Sequence, residues 1–229
     1  MIVAERKPFA EIKEKIKDYK KILVLGCGTC VSVCQAGGEK EVELLATEFR
    51  MADKIDGRQV EIGELTVQRQ CDREYLLPIV EKMKEYDVVL SMACGAGVQF
   101  VAEIMEMMPV LPAVNTRFIG VTADEGLWLE KCRACGNCLL ADYGGICPMT
   151  MCAKSLVNGP CGGYKDGKCE TSPERNCAWV MIYERLSKQG KLDKMREASA
   201  LKDYSAQSHP ARQVNEAYTK PELSAAKEK

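Results

Sequence analysis

One histidine, His209, serves the whole chain of 229 residues, and aromatic side chains make up only 6% of it. With that histidine in a polar C-terminal stretch, Ser-His-Asp and Cys-His catalysis is excluded near the cysteine groups described below; His209 is read as exposed and idle. An excess of charge is also missing. Lysine and arginine number 32 against 33 acidic residues, a formal charge of −1. No basic field attracts phosphates, so nucleic acid is not expected as a partner. Long apolar runs are absent too. The uncharged stretch Val88 to Ala102 is interrupted by Gly95, Gly97 and Gln99 and is shorter than the ~18 residues of a spanning helix. The opening MIVAERKPFAEIKEKIKDYKK is charged from Glu5 onward and lacks the apolar region of a signal peptide. The expectation is a cytoplasmic protein without a membrane span.

What the chain does have is cysteine. Thirteen thiols occur in an otherwise ordinary globular composition, 46% hydrophobic and 28% charged. In a reducing compartment disulfides are rare, and an odd number resists complete pairing. Clustered thiols there bind metal.

Up to about residue 127 the pattern alternates between strand and helix. Lys21 to Gly26 reads as a buried strand ending at glycine, and Glu39 to Ala52 places Val42, Leu45, Ala46 and Phe49 at helical spacing. Gln59 to Val67 reads as a strand interrupted by Gly63 and Glu64. Arg73 to Lys84 reads as a helix with Leu76, Leu77, Val80 and Met83 on one face. Asp87 to Ala93 is the clearest strand, Gly97 to Met108 a helix stopped by Pro109, and Arg117 to Thr122 a last strand that closes the series. Such alternation implies a parallel sheet with helical crossovers. The expected fold class is α/β: a small Rossmann-like parallel sheet over residues 1–127, a cysteine-rich metal-cluster domain over 128–190, and a polar tail or partner-wrapping arm over 191–229. Cys177 to Leu186 reads as a closing helix, with Trp179, Ile182, Tyr183 and Leu186 apolar. Residues 205–229 are read as partly disordered.

The cysteine-rich stretch holds eight thiols and little periodicity, so it needs metal to fold. Cys132, Cys135 and Cys138 stand at C-x2-C-x2-C spacing, which curls three thiolates around one cubane cluster, with Gly136 permitting the curl. Zinc sites more often take two ligands from each of two knuckles. Cys147-Pro148 echoes the end of a ferredoxin motif but follows Cys138 at a longer interval. Cys152, Cys161, Cys169 and Cys177 complete eight, the number that two four-iron clusters require; their partition is open. Turn-forming glycines flank Cys161 and Cys169.

The other group opens with Cys27, Cys30 and Cys34 at C-x2-C-x3-C spacing, just past the first strand. In open α/β sheets ligands bind at that carboxyl edge. Cys71 follows the second strand and Cys94 the third. Cys94 is taken as the fourth ligand and Cys71 as the reserve. A structural reading leaves one of the five as a buried thiol. Gly26-x-Gly28 lacks the third glycine of a dinucleotide loop, and cysteines occupy that loop, so nucleotide binding is not expected. Asp124 and Glu125 read as a solvated pair, and Met105, Met107 and Met108 as core or interface contacts. No catalytic residue is identified.

The segments LGCGTCVSVCQAGG (25–38), ACGAGVQ (93–99), ICPMTMC (146–152), NGPCGG (158–163) and CAWVMIYERL (177–186) together resemble the small accessory subunit, of the MetV type, of two-subunit methylenetetrahydrofolate reductases from anaerobic bacteria, notably acetogens. The resemblance covers residues 20–190. It implies two or three [4Fe-4S] clusters on this chain and a flavin-bearing TIM-barrel partner, with FMN or FAD held there, that reduces methylene- to methyl-tetrahydrofolate. It also implies an electron donor such as ferredoxin or an NAD(P)H-oxidising subunit. The expected role is electron delivery. The alternatives are a zinc-binding assembly subunit of the same complex, or an enzyme using an open iron site at the Cys27–Cys34 loop.

Overall fold

The computed structural model describes residues 1–197, 201–207, 209–215 and 217–218, and the chain divides into two compact units, Met1–Cys132 and Arg133–Lys229.

The first unit is built on the parallel sheet that the alternating pattern anticipates. Its strands are β2 (Lys21–Cys27), β3 (Glu61–Val67), β4 (Val88–Ser91) and β5 (Val110–Pro112), in the order β3-β2-β4-β5. β1 (Ile2–Arg6) and α1 (Phe9–Ile16) precede them. The crossovers carry α2 (Cys30–Val33), α3 (Glu39–Asp56), the short helices α4 (Arg73–Leu76) and α5 (Val80–Met83), and α6 (Gly95–Ile104). Period-two alternation sends β2 side chains into two cores. Ile22 and Val24 pack with Val42, Leu45 and Phe49 of α3 and Ile12 and Ile16 of α1. Leu23 and Leu25 pack with Leu76, Met83 and Val101 on the opposite face. Chain order reverses between β2 and β4, so their carboxyl ends flank the switch point at which open sheets bind ligands.

Three expectations are corrected. Arg117–Thr122 does not join the parallel sheet. It lies within β6 (Val114–Asp124), the centre of a separate antiparallel sheet between β1 and β7 (Leu127–Cys132). The fourth parallel strand is the three-residue β5, directly after Pro109. The helix expected over 73–84 is split by a 3-10 turn, Leu77–Ile79, because Pro78 lacks the N–H an α-helix needs there.

The second unit contains α7 (Pro148–Met151), a two-stranded ribbon of β8 (Lys168–Cys169) and β9 (Ser172–Asn176), and α8 (Ala178–Lys188). Its core is small: Tyr143, Ile146, Cys177, Trp179, Ile182 and Leu186. Tyr143 and Trp179 meet edge to face at 5.5 Å. Tyr183, expected on the apolar face of the helix, is exposed. Part of the stretch read as a polar tail is packed: Lys202 is buried and donates to the Asn137 carbonyl at 2.6 Å. The expectation for residues 219–229 lies outside the described residues. Among the described residues no helix is long and apolar enough to cross a membrane.

Candidate metal centres

Among the described residues no disulfide joins any of the thirteen cysteines. Among the described residues, no three Cys, His, Asp or Glu side chains stand close enough together to hold a single metal ion as they are placed. The groupings below are looser than that.

In the first unit the thiols collect at the carboxyl edge of the parallel sheet. Cys27 ends β2 and is buried; Gly28 donates its N–H to the Val67 carbonyl at 2.8 Å, which ties the start of the cysteine loop to the end of β3. The loop then turns through α2 and returns, with the Cys27 N–H donating to the Gly37 carbonyl at 2.9 Å. Gly37 has to be glycine, because a Cβ there would stand 1.8 Å from the Met92 carbonyl oxygen. Cys94 lies beyond β4 as the N-cap of α6. Cys71 follows β3. Burial of its sulfur raises its pKa, and the neighbouring Cys27, Cys94 and Cys30 thiols raise it further. Cys71 therefore lies within electrostatic reach of Cys27, Cys94 and Cys30.

Cys34 is placed differently. It is buried, and its sulfur accepts the Ala4 N–H at 3.3 Å and lies 3.6 Å from the carbonyls of Ala4 and Val31. Burial, first of all, holds its pKa up, with a smaller contribution from Cys30.

In the second unit one small hollow is lined by Cys152, Cys161, Cys169 and Cys177, together with Lys154, Tyr164, Glu170, Ala178 and Trp179. The sequence left the partition of these thiols open; the structure brings four of them to one wall. Cys177 is the N-cap of α8. Cys169 lies 3.2 Å from the Thr171 hydroxyl, and hydrogen bonds from Thr171, with Arg175 and Lys154 nearby, lower its pKa. Cys161 lies 3.5 Å from Glu170, whose carboxylate is paired with Lys154.

The remaining thiols are Cys132, which ends β7, and Cys135, Cys138 and Cys147 of the second unit. Ala134 and Gly136, with φ of 52° and 78°, flank Cys135 and curl that loop. Gly136 also lies so close to Ala206 that a Cβ would be 2.6 Å from its methyl carbon. Cys147 caps α7, whose Thr150 hydroxyl is buried without a hydrogen-bond partner.

The four thiols that line the hollow, set in glycine-rich loops that let backbone approach closely, are a donor set that fits an iron–sulfur cluster. His209 falls outside every group of thiols.

Residues 111–205 match the family model described as methylene-tetrahydrofolate reductase C terminal. This part of the chain is similar to that family. The matched stretch contains the eight cysteines from Cys132 to Cys177, whereas the five thiols of the sheet edge precede it. No curated protein and no solved structure matches the chain.

Proposed function

We propose that this chain is an iron–sulfur electron-transfer subunit that serves a flavin-bearing methylenetetrahydrofolate reductase. The observation that carries the reading is the hollow walled by Cys152, Cys161, Cys169 and Cys177 within the segment that matches the reductase family. Bound clusters supply one-electron carriers between an external donor, such as ferredoxin or an NAD(P)H-oxidising subunit, and the partner's flavin.

The chain's own residues account for binding and tuning. Hydrogen bonds from Thr171 lower the Cys169 pKa and so ease formation of the thiolate that ligates iron. The N-terminus of α8 sets positive charge beside the hollow, which favours the reduced state of a bound cluster, while the Lys154 charge is paired with Glu170. Trp179 and Ala178 close one wall with apolar surface and limit water. The Cys132, Cys135 and Cys138 spacing, with Cys147, provides a further set of thiols by sequence.

The test is electron delivery. The anaerobically purified chain, reduced with dithionite and freed of excess reductant, is mixed with the oxidised flavin subunit. Bleaching of the flavin, stoichiometric with the electrons stored on the chain and absent for the Cys161→Ser, Cys169→Ser variant, is the expected result. Flavin that stays oxidised beside a fully reduced chain would overturn the proposal.

The alternative of a zinc-binding assembly subunit rests on the same thiols. It predicts a colourless chain that binds the flavin subunit without reducing it.

A further inference from the structure

Five thiols follow the carboxyl ends of β2, β3 and β4 along the chain, one more than a four-ligand cluster takes. Their geometry separates four from one. Chain order reverses between β2 and β4, and a single buried side chain bridges the two strands there. Gln70, with no exposed surface, donates from Nε2 to the Leu25 carbonyl of β2 at 2.8 Å and accepts from the Ser91 hydroxyl of β4 at 2.6 Å. Both ends of a buried amide are thereby satisfied across the gap, and displacing it would strand polar groups in the core. The clamp is tightened by Gly97 of α6, where a Cβ would stand 2.9 Å from the Gln70 Cβ. Cys71 is the next residue, so its backbone is anchored at the switch point between Cys27, at the end of β2, and Cys94, just past β4.

Cys34 is one helical turn beyond Cys30, at the far end of α2. Its sulfur accepts the Ala4 N–H of β1 at 3.3 Å and lies 3.6 Å from two carbonyl oxygens, that of Ala4 and that of Val31, the latter already accepting the Ala36 and Gly37 N–H groups. A thiolate bound to iron has no proton to offer the Ala4 carbonyl and would set a negative charge against both buried oxygens.

We infer that Cys27, Cys30, Cys71 and Cys94 form the ligand set at the sheet edge, with Gln70 anchoring Cys71, and that Cys34 is a protonated structural thiol sealing α2 against β1. This rests on the iron–sulfur reading above and specifies which residues hold the cluster. Thirteen thiols then divide into three sets of four and one that stays protonated.

The experiment compares iron and acid-labile sulfide per polypeptide, with paramagnetic resonance of the reduced protein, for the anaerobically purified full chain and its Cys71→Ala, Cys34→Ala and Cys34→Val variants. Cys34→Val keeps the apolar packing if alanine loosens the fold, and far-ultraviolet dichroism checks folding in each. The expected result is that Cys71→Ala loses about one to four irons, a three-iron remnant or a whole cluster, together with one resonance signal. At least one folded Cys34 variant keeps the parental iron and every signal. Loss of iron from both folded Cys34 variants, or full parental iron in Cys71→Ala, would overturn the ligand set while leaving the iron–sulfur reading intact. A parental chain without iron would overturn both.

Discussion

The two units reach a folded state by different routes. In the first, the parallel sheet is covered on both faces. Leu23, Val24, Leu45, Val88 and Val101 are fully buried, and helices on either side supply most of the packing. Its thiols sit on the rim of a structure that apolar burial already holds together. In the second, six buried residues make up the core, and outside α7 and α8 the described residues form loops, 3-10 turns and a two-stranded ribbon. A two-stranded ribbon is marginal by itself, and so small a core rarely outweighs chain entropy without a covalent or metal link. On the proposed iron–sulfur reading, the thiols of the second unit take part in its folding, whereas Cys27, Cys30, Cys71 and Cys94 of the first are guests on a finished scaffold.

Removing metal is the sharpest way to break that contrast. Anaerobic chelation is expected to unfold the second unit and spare the first, because metal-binding free energy there is folding free energy. Proteolytic cleavage between residues 133 and 197 should accelerate by about a hundredfold or more, while fragment 1–132 survives. Equal sensitivity of both units would end the distinction.

Single-ligand removal comes next. Cys161 is exposed, so Cys161→Ser costs little packing. It is expected to lose about four irons and to lower the melting temperature of the second unit, with the first unit's transition in place. Calorimetry and iron analysis on the same sample check both halves of that statement.

The converse is a core truncation in the first unit. Phe49 is 2% exposed and stacks on Phe9 at 5.1 Å, so Phe49→Ala should destabilise that unit by about 3–5 kcal/mol. Urea denaturation should shift its midpoint while iron per polypeptide stays at the parental value.

The smallest effect is chemical. In the metal-free chain the first unit stays folded, and burial raises the Cys34 pKa. A raised pKa means less thiolate at a given pH, so Cys34 should alkylate at higher pH than an unfolded cysteine. Mass spectrometry after iodoacetamide, in the presence and absence of urea, reads that shift directly.

What the sequence pattern reveals, and what it hides, follows the same division. Asp87–Ala93, Lys21–Gly26 and Glu39–Ala52 were readable because each carries an unbroken apolar period and buries it. β1 was hidden: its five residues, Ile2–Arg6, alternate too briefly to stand out, and their partner β6 lies more than a hundred residues away. β5 was hidden by its three-residue length between prolines. The Cys34 environment depended on β1, because only that strand shows what the thiol faces. Spacing alone made Cys34 look like a third ligand beside Cys27 and Cys30, and it left Cys71 in reserve. The strand ends that bring Cys71 to Cys27 and Cys94 are a property of sheet order, which no local motif records. In the second unit the reverse held. Every thiol was visible, but periodicity could not pair Cys152 with Cys177, since the chain between them has almost none. The buried Gln70 went unnoticed because a single glutamine in a polar loop carries no signal of burial.

The measurement that tests the central claim most directly is the iron, sulfide and zinc content of the chain purified without oxygen, with paramagnetic resonance on reduction. About eight to twelve irons with matching sulfide, the content of two or three four-iron clusters, and resonance signals on reduction are the predicted result. Stoichiometric zinc with no iron or sulfide would contradict it and leave a subunit whose cysteines only hold its fold.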